Sequence, residues 1–328
     1  MPPSSLDLKD KRILYELDLD ARQSLADIAK KVELSKQMVK YRVRRLMKTG
    51  AITHFFMMID TKKIGYSFYD LFLQLQNMTK QREEELINFL KDMDTVGWVA
   101  STTGKWNLVI AIFTRDILQF NESLNRIYSK FGENIREKKF IIDMSAISCK
   151  NKYLVDSSSY LRKDDYYGNE ELFKLDKKDV KLLKTLDTDP RMSVLELAKK
   201  TKIAKDTVTR KLNMLQKEGV IQGFKIKIDP SVFGYEWHVV LFELNCINET
   251  EKMKFVKKLQ SHKNVIFIIN TVGDWNLMVD LHVKNNTHFQ EVLSEFKEEF
   301  GNIIKSYENL RVVKDHKTTY VPAGVFDI

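Results

Sequence analysis

The chain repeats itself at one ungapped offset of 169 residues. Leu6-Asp7 returns as Leu175-Asp176, Gly50 as Gly219 and Gly65-Tyr66 as Gly234-Tyr235. Gly104-Lys105-Trp106-Asn107-Leu108 returns as Gly273-Asp274-Trp275-Asn276-Leu277, and Gly132 as Gly301. Between 6–66 and 175–235, 24 of 61 positions are identical. Solenoid units run only about 20–50 residues, so a repeat this long is a duplicated set of domains. Every residue can therefore be weighed against its twin: what both copies keep serves the shared fold, and what differs marks separate tasks.

The 43% hydrophobic and 30% charged composition is that of a globular chain, and no stretch approaches the roughly 18 apolar residues of a membrane span. Met1-Pro2-Pro3-Ser4-Ser5 lacks the charged-then-apolar pattern of a signal peptide. Cys149 and Cys246 stand at non-equivalent positions and read as idle thiols of a reducing compartment, so a cytoplasmic protein is expected. The net charge of +9 is concentrated. Lys30 to Lys48 holds eight basic residues and one acidic, +7, and its twin Lys199 to Lys217 holds seven and one, +6, which leaves −4 for the remainder. Solvated helix faces scatter lysines among glutamates. Two dense basic windows are instead the footprint of a phosphate-binding surface.

Each half divides again. Apolar spacing of three and four predicts helices through Ile13, Leu14 and Leu17, through Leu25, Ile28 and Ala29, and through Val39, Val43 and Leu46. Ser24 and Ser35 suit their N-caps, and Gly50 suits the C-terminal exit of the third. An extended run, Ile52 to Ile59, follows and returns as Ile221 to Ile228. The period then changes. Phe68 to Leu75, Val96 to Thr102, Asn107 to Phe113 and Ile135 to Ile142 read as strands, with helices over Gln81 to Met93 and Ile117 to Phe131. That order, β-α-β-β-α-β, predicts a ferredoxin-like antiparallel sheet covered by helices on one face. The expected class is thus α+β, with two helix-turn-helix units, winged-helix-like, each followed by a ferredoxin-like domain. The expected divisions are 1–60, 61–150, a connector over 151–173, 174–229 and 230–328. The connector contains Ser157-Ser158-Ser159 and Tyr153, Tyr160, Tyr166 and Tyr167. It either runs free as a polar linker or docks through those tyrosines, and both readings stay open.

Leu6-Asp7, Asp10, Ile13-Leu14, Asp20-Ala21-Arg22, Leu25, Ile28-Ala29, Leu34-Ser35, Val39, Arg42-Val43, Leu46, Gly50 and Ile52 together resemble the helix-turn-helix of Lrp/AsnC (feast/famine) transcription regulators. Phe55 to Asp60 and Ile64-Gly65 resemble that family's passage into its effector and oligomerisation domain. The resemblance covers nearly the whole chain, once per half. It implies a DNA-binding regulator in which two copies of a normally dimerising unit are fused, a pseudo-dimer whose further homo-oligomerisation stays open.

If Val39, Val43 and Leu46 face inward, 100° per residue places Gln37, Tyr41, Arg44 and Lys48 outward, flanked by Lys40 and Arg45. Early residues of a recognition helix meet base edges and the others reach phosphates. Gln37 then suits adenine, Arg44 guanine or phosphate, and Tyr41 a thymine methyl or a phosphate. Ser35, Lys36 and Arg42 complete the expected DNA-binding set in the first copy. In the second copy it comprises Lys205, Asp206, Thr209, Arg210, Asn213 and Lys217, over a core of Val208, Leu212 and Leu215. Ala204 replaces Ser35 and Lys211 replaces Arg42, so a looser second reading helix is expected. Two unlike heads predict an asymmetric double-stranded DNA site, where a true homodimer prefers a palindrome.

In the resembled family a Gly-x-x-Asp turn helps to form an effector pocket, often for amino acids. The aligned residues here, expected to bind any effector, are Gly104, Trp106 and Asn107 and their twins Gly273, Trp275 and Asn276. Asn in place of Asp removes the carboxylate that would pair with an ammonium group. The competing reading is a purely structural turn anchored by the tryptophans. Sirohaem decarboxylases are also tandem Lrp/AsnC-like chains, and the resemblance to them requires a His-Asn-Tyr-x-Arg-like stretch before the turn. This chain has Val96-Gly97-Trp98-Val99-Ala100-Ser101-Thr102 and Val265-Ile266-Phe267-Ile268-Ile269-Asn270-Thr271 there, without His, Tyr or Arg. His54, His238, His262, His282, His288 and His316 show no metal-ligand spacing. No enzyme, metal or cofactor is expected. A metabolite-sensing module without DNA binding is the remaining alternative, and the basic windows argue against it.

Overall fold

The computed structural model describes residues 6–155, 165–167, 171–245, 248–321 and 323–326. In chain order its elements begin with helices α1 (Leu8–Leu19), α2 (Leu25–Val32) and α3 (Lys36–Lys48) and strand β1 (Ile52–Ile59). The first α/β set follows: β2 (Ser67–Leu75), α4 (Lys80–Asp92), β3 (Val96–Thr103), β4 (Leu108–Thr114), α5 (Ile117–Phe131) and β5 (Ile135–Ser148). A short β6 (Asp165–Tyr167) precedes α6 (Lys177–Thr188), α7 (Val194–Thr201), α8 (Lys205–Lys217) and β7 (Ile221–Ile228). The second set is β8 (Glu236–Leu244), α9 (Glu249–Ser261), β9 (Val265–Val272), β10 (Leu277–Val283), α10 (Asn286–Phe300) and β11 (Ile304–Thr318). No described helix is long and apolar enough to cross a membrane.

These elements gather into two compact units that do not follow chain order: the trihelical heads of both halves form one, and the α/β sets of both halves form the other. In the first, α1 buries Ile13, Leu14 and Leu17, α2 buries Ile28, Ala29 and Val32, and α3 buries Val39, Val43 and Leu46. Ser24 and Ser35 accept the amides of Asp27 and Met38, capping α2 and α3 as their positions predict. Gly50 leaves α3 at φ 80°, a left-handed conformation that glycine adopts at no steric cost.

Strands β1 and β7 pair with each other, antiparallel, with Phe55 opposite Ile226 and Met57 opposite Phe224. This ribbon joins the two heads. Crossed contacts reinforce it. Arg22 donates to the carbonyls of Pro190 (2.9 Å) and Met192 (2.8 Å) and lies over the Phe224 ring. Its twin Arg191 lies over Phe55, the twin of Phe224.

In the second unit each α/β set builds a four-stranded sheet, in the orders β5-β2-β4-β3 and β11-β8-β10-β9. Helices α4 and α5 cover one face of the first sheet, burying Leu86, Leu90, Phe120, Ile127 and Phe131 against Leu71, Val99 and Ile110. The two sheets also pair edge to edge, β3 with β11 and β5 with β9, so the eight strands close into a ring. Closure removes the free edges that would otherwise invite aggregation. The inner faces share one core in which Phe72, Trp106, Val109 and Ile141 meet Val239, Leu241, Trp275 and Leu310. Strand β5 runs past the expected end at Ile142 because it pairs with both β2 and β9.

The start of the expected connector is folded. Asn151 donates its backbone amide (3.0 Å) and its side-chain amide (2.9 Å) to Asp18 of α1, and Tyr153 rests on Tyr235 with ring centroids 4.7 Å apart. Ser157, Ser158, Ser159 and Tyr160 lie outside the described residues, as do the side chains of Tyr166 and Tyr167. Cys149 is buried, and Cys246 lies outside the described residues.

Candidate nucleic-acid interface

The basic residues of α3 go two ways. Ser35, Lys36, Gln37, Lys40, Tyr41, Arg44 and Lys48 are exposed, and Tyr41 shows 60% of its surface to solvent. Those seven form one outward face. Arg42 and Arg45, which the sequence assigns to DNA, turn inward. Arg42 pairs with Asp7 (2.7 Å) and Asp10 (2.9 Å), and Arg45 also pairs with Asp10.

The acids belong to a capping box at the start of α1. Asp7 accepts the amide of Asp10, whose own carboxylate accepts the amide of Asp7. Asp10 is fully buried, and a buried carboxylate needs a partner. The two guanidiniums supply it, tying the reading helix to the first helix. Partial burial opposes ionisation of Asp7, but the Asp10 amide and the Arg42 guanidinium outweigh it and lower its pKa.

The second head repeats this clasp with one cation. Lys211 pairs with Asp176 and Asp179, both at 2.7 Å. The ammonium and the Asp179 amide pull Asp176 down to about 2, against its partial burial. Lys205, Asp206, Thr209, Arg210, Asn213 and Lys217 are exposed, as expected. Ala204 gives α8 no side-chain cap.

The six residues expected to bind an effector lie at two tight turns, where each has a structural role. Trp106 and Trp275 are 0% and 3% exposed and meet edge to face inside the ring of strands, 6.2 Å between centroids. The Trp106 indole donates to Glu308 (2.9 Å). Asn107 accepts the Leu75 amide and Asn276 the Leu244 amide, both at 2.7 Å. Each asparagine thus satisfies a neighbouring strand. Gly104 (φ 122°) lies where a Cβ would stand 2.9 Å from the Asn309 carbonyl oxygen, and Gly273 (φ 144°) where one would stand 3.0 Å from Ile141. Close packing against the opposite sheet accounts for both glycines.

The winged helix-turn-helix DNA-binding family matches residues 6–53 and again 175–222. One stretch is 32% identical over 130 residues to the HTH-type transcriptional regulator Ptr1 of Methanocaldococcus jannaschii, covering 39% of this chain and 86% of that protein. The chain belongs to the Lrp/AsnC family of transcriptional regulators. The regulator FL11 of Pyrococcus horikoshii is 28% identical over 147 residues, 44% of this chain and 93% of that protein. Such Lrp/AsnC relatives match only one half of the length, so this member is the tandem duplicated form. The crystal structure of the siroheme decarboxylase NirDL superposes with a TM-score of 0.62, covering 96% of this chain and 94% of that one at 14% identity. That likeness is one of fold.

Two sets of residues that hold the heads together are marked in the sequence only by their joint repetition. The clasp was visible as an acid pair and a base repeating together: Asp7, Asp10 and Arg42 become Asp176, Asp179 and Lys211. The crossed clamp was visible in the same way, since Arg22 and Phe55 return as Arg191 and Phe224.

Proposed function

We propose that this chain is a cytoplasmic, sequence-specific regulator of transcription that binds double-stranded DNA through α3 and α8. Its working divisions are 1–60 and 174–229 for the reading heads, 61–150 and 230–328 for the α/β domains, and 151–173 for the connector. One observation carries the reading: Lys36, Lys40, Arg44 and Lys48 are exposed on one face of α3 with Gln37 and Tyr41 between them. Cations at both ends of such a face reach phosphates, and the polar groups between them reach base edges. The ribbon and the crossed arginines support joint presentation of both helices to one duplex. A small-molecule effector at the glycine turns would meet Gly104, Asn107, Gly273 and Asn276, which are wholly or partly open to solvent, and not the buried Trp106 and Trp275.

A tetrapyrrole enzyme is the second reading, motivated by the fold shared with NirDL over nearly the full chain. Strands β3 and β9 carry no His, Tyr or Arg, so the DNA reading is preferred.

Binding to mixed-sequence duplex, followed across ionic strength, tests the proposal. Each phosphate contact contributes about 0.9 to the slope of log affinity against log salt. Reversing Lys40, Arg44 and Lys48 to Glu together should weaken binding by roughly 100-fold or more and flatten that slope. Unaltered retention of duplex by the triple variant would sink the proposal, as would strong tetrapyrrole absorbance in the purified protein with no duplex binding at all.

A further inference from the structure

Laid over each other at the 169-residue offset, the outward faces of α3 and α8 differ in a pattern. The end positions are kept: Lys36 is matched by Lys205, and Lys48 by Lys217. All four positions between them change. Gln37 becomes Asp206, Lys40 becomes Thr209, Tyr41 becomes Arg210 and Arg44 becomes Asn213. All twelve side chains are exposed, so packing does not impose the changes. Kept outer lysines suit backbone phosphates, which are the same in every sequence, and a changed middle suits base edges, which are not.

Gln37 and Asp206 are each the second residue of their helix, the end that meets base edges in a helix-turn-helix. Their chemistries are opposed. The Gln37 amide both donates and accepts, and it fits adenine through N6 and N7. An ionised carboxylate only accepts. It fits the cytosine N4 amino group, and it is repelled by the N7 and O6 acceptors of guanine and by phosphate. Asp206 makes no ion pair among the described residues and is exposed, so its carboxylate is open to a base edge.

We infer that Asp206 makes the operator asymmetric, selecting cytosine in one half-site at the position where Gln37 selects adenine in the other. The clamped heads hold this difference in one orientation: the more cationic α3 takes the adenine half and α8 the cytosine half. This inference rests on the DNA-binding reading above and deepens it.

Selection of binding sites from a randomised duplex pool tests it, using the full chain, the Asp206→Gln variant and the reciprocal Gln37→Asp variant. The unaltered protein should return two unlike half-sites, with adenine and cytosine at equivalent positions. Asp206→Gln should return adenine in both, and Gln37→Asp cytosine in both. On synthetic duplexes, an adenine/adenine site should bind the unaltered protein about tenfold more weakly than adenine/cytosine, and Asp206→Gln should invert that order. Asp206 also lies in the first turn of an uncapped helix, where a carboxylate favours the helix dipole. A merely structural role would change thermal stability and affinity alike for every duplex, leaving the selected bases unmoved, and that result would overturn the inference. A perfect inverted repeat selected by the unaltered protein would overturn it too. Failure to retain any duplex would instead bring down the DNA-binding reading itself.

Discussion

Helix α3 turns Val39, Val43 and Leu46 inward, and α8 turns Val208, Leu212 and Leu215 inward from the same positions. Both are tied to the first helix of their head by an acid pair and a base from the recognition helix. On the solvent side the two share only their terminal lysines. Duplication left each half with the same folding problem, so whatever holds a head together stayed. The outer face makes no ion pair among the described residues and was free to diverge. That division separates residues that serve the fold from residues left open to a partner.

The clasps offer the hardest way to break this comparison. Lys211→Met keeps the length of the stem and removes the only cation that pairs with the buried Asp179 among the described residues. It should cost about 3–5 kcal/mol, the usual penalty of stranding a buried charge. Arg42→Met in the first head should cost less, because Arg45 still pairs with Asp10. Hydrogen exchange of α6–α8 against α1–α3 amides would measure both, and equal losses would mean that the second guanidinium contributes nothing. Acid should expose the same interaction. Asp176 sits at about 2, below its ordinary value near 3.9. Its contribution is therefore complete above pH ~4 and is lost as pH falls toward 2.

The α/β unit carries a contrast of its own, with a smaller effect. Asp70 and Asp143 are buried in the first set, and their twins are Val239 and Val312. Burial pushes Asp143 up to about 7, against its hydrogen bond with Asp70 and the charge of Lys62, and it raises Asp70, which also faces Asp143 and Asp280. These carboxyls hold protons that the unfolded chain releases above pH ~4. The sign is thus opposite to that of Asp176: stability is greatest below pH ~4 and falls as pH rises through about 7. Asp143→Val should be more favourable at pH 8 than at pH 5, by roughly 2–3 kcal/mol for a shift of this size. Denaturation midpoints at the two pH values decide it, and an equal gain at both would rule out ionisation as the cause.

The caps give the finest adjustment. Ala204→Ser should add about 1 kcal/mol to the second head, and Ser35→Ala should remove about as much from the first. Thermal unfolding of the two variants would show whether the missing cap accounts for a looser α8.

Arg42 shows why part of the interface was legible and part was not. It lies three residues after Val39 and four before Leu46, inside the apolar stripe itself. Periodicity therefore favoured an inward side chain, while residue type and the resemblance favoured DNA. The long stem of arginine permits either, and the buried Asp10 decided the matter. Trp106 and Trp275 went the same way: placed at a turn they were candidates for a ligand, and the closed ring of strands took them as core.

Helix and strand placement, the caps at Ser24 and Ser35 and the doubling of the fold were all present in the amino-acid order, because each depends on neighbours within a few turns or on a copied pattern. Pairing of β1 with β7, closure of the two sheets and the inward turn of two arginines were decided only in three dimensions. Their partners lie tens to more than two hundred residues away, and local spacing carries no information about which distant surface a strand edge or a flexible cation will meet.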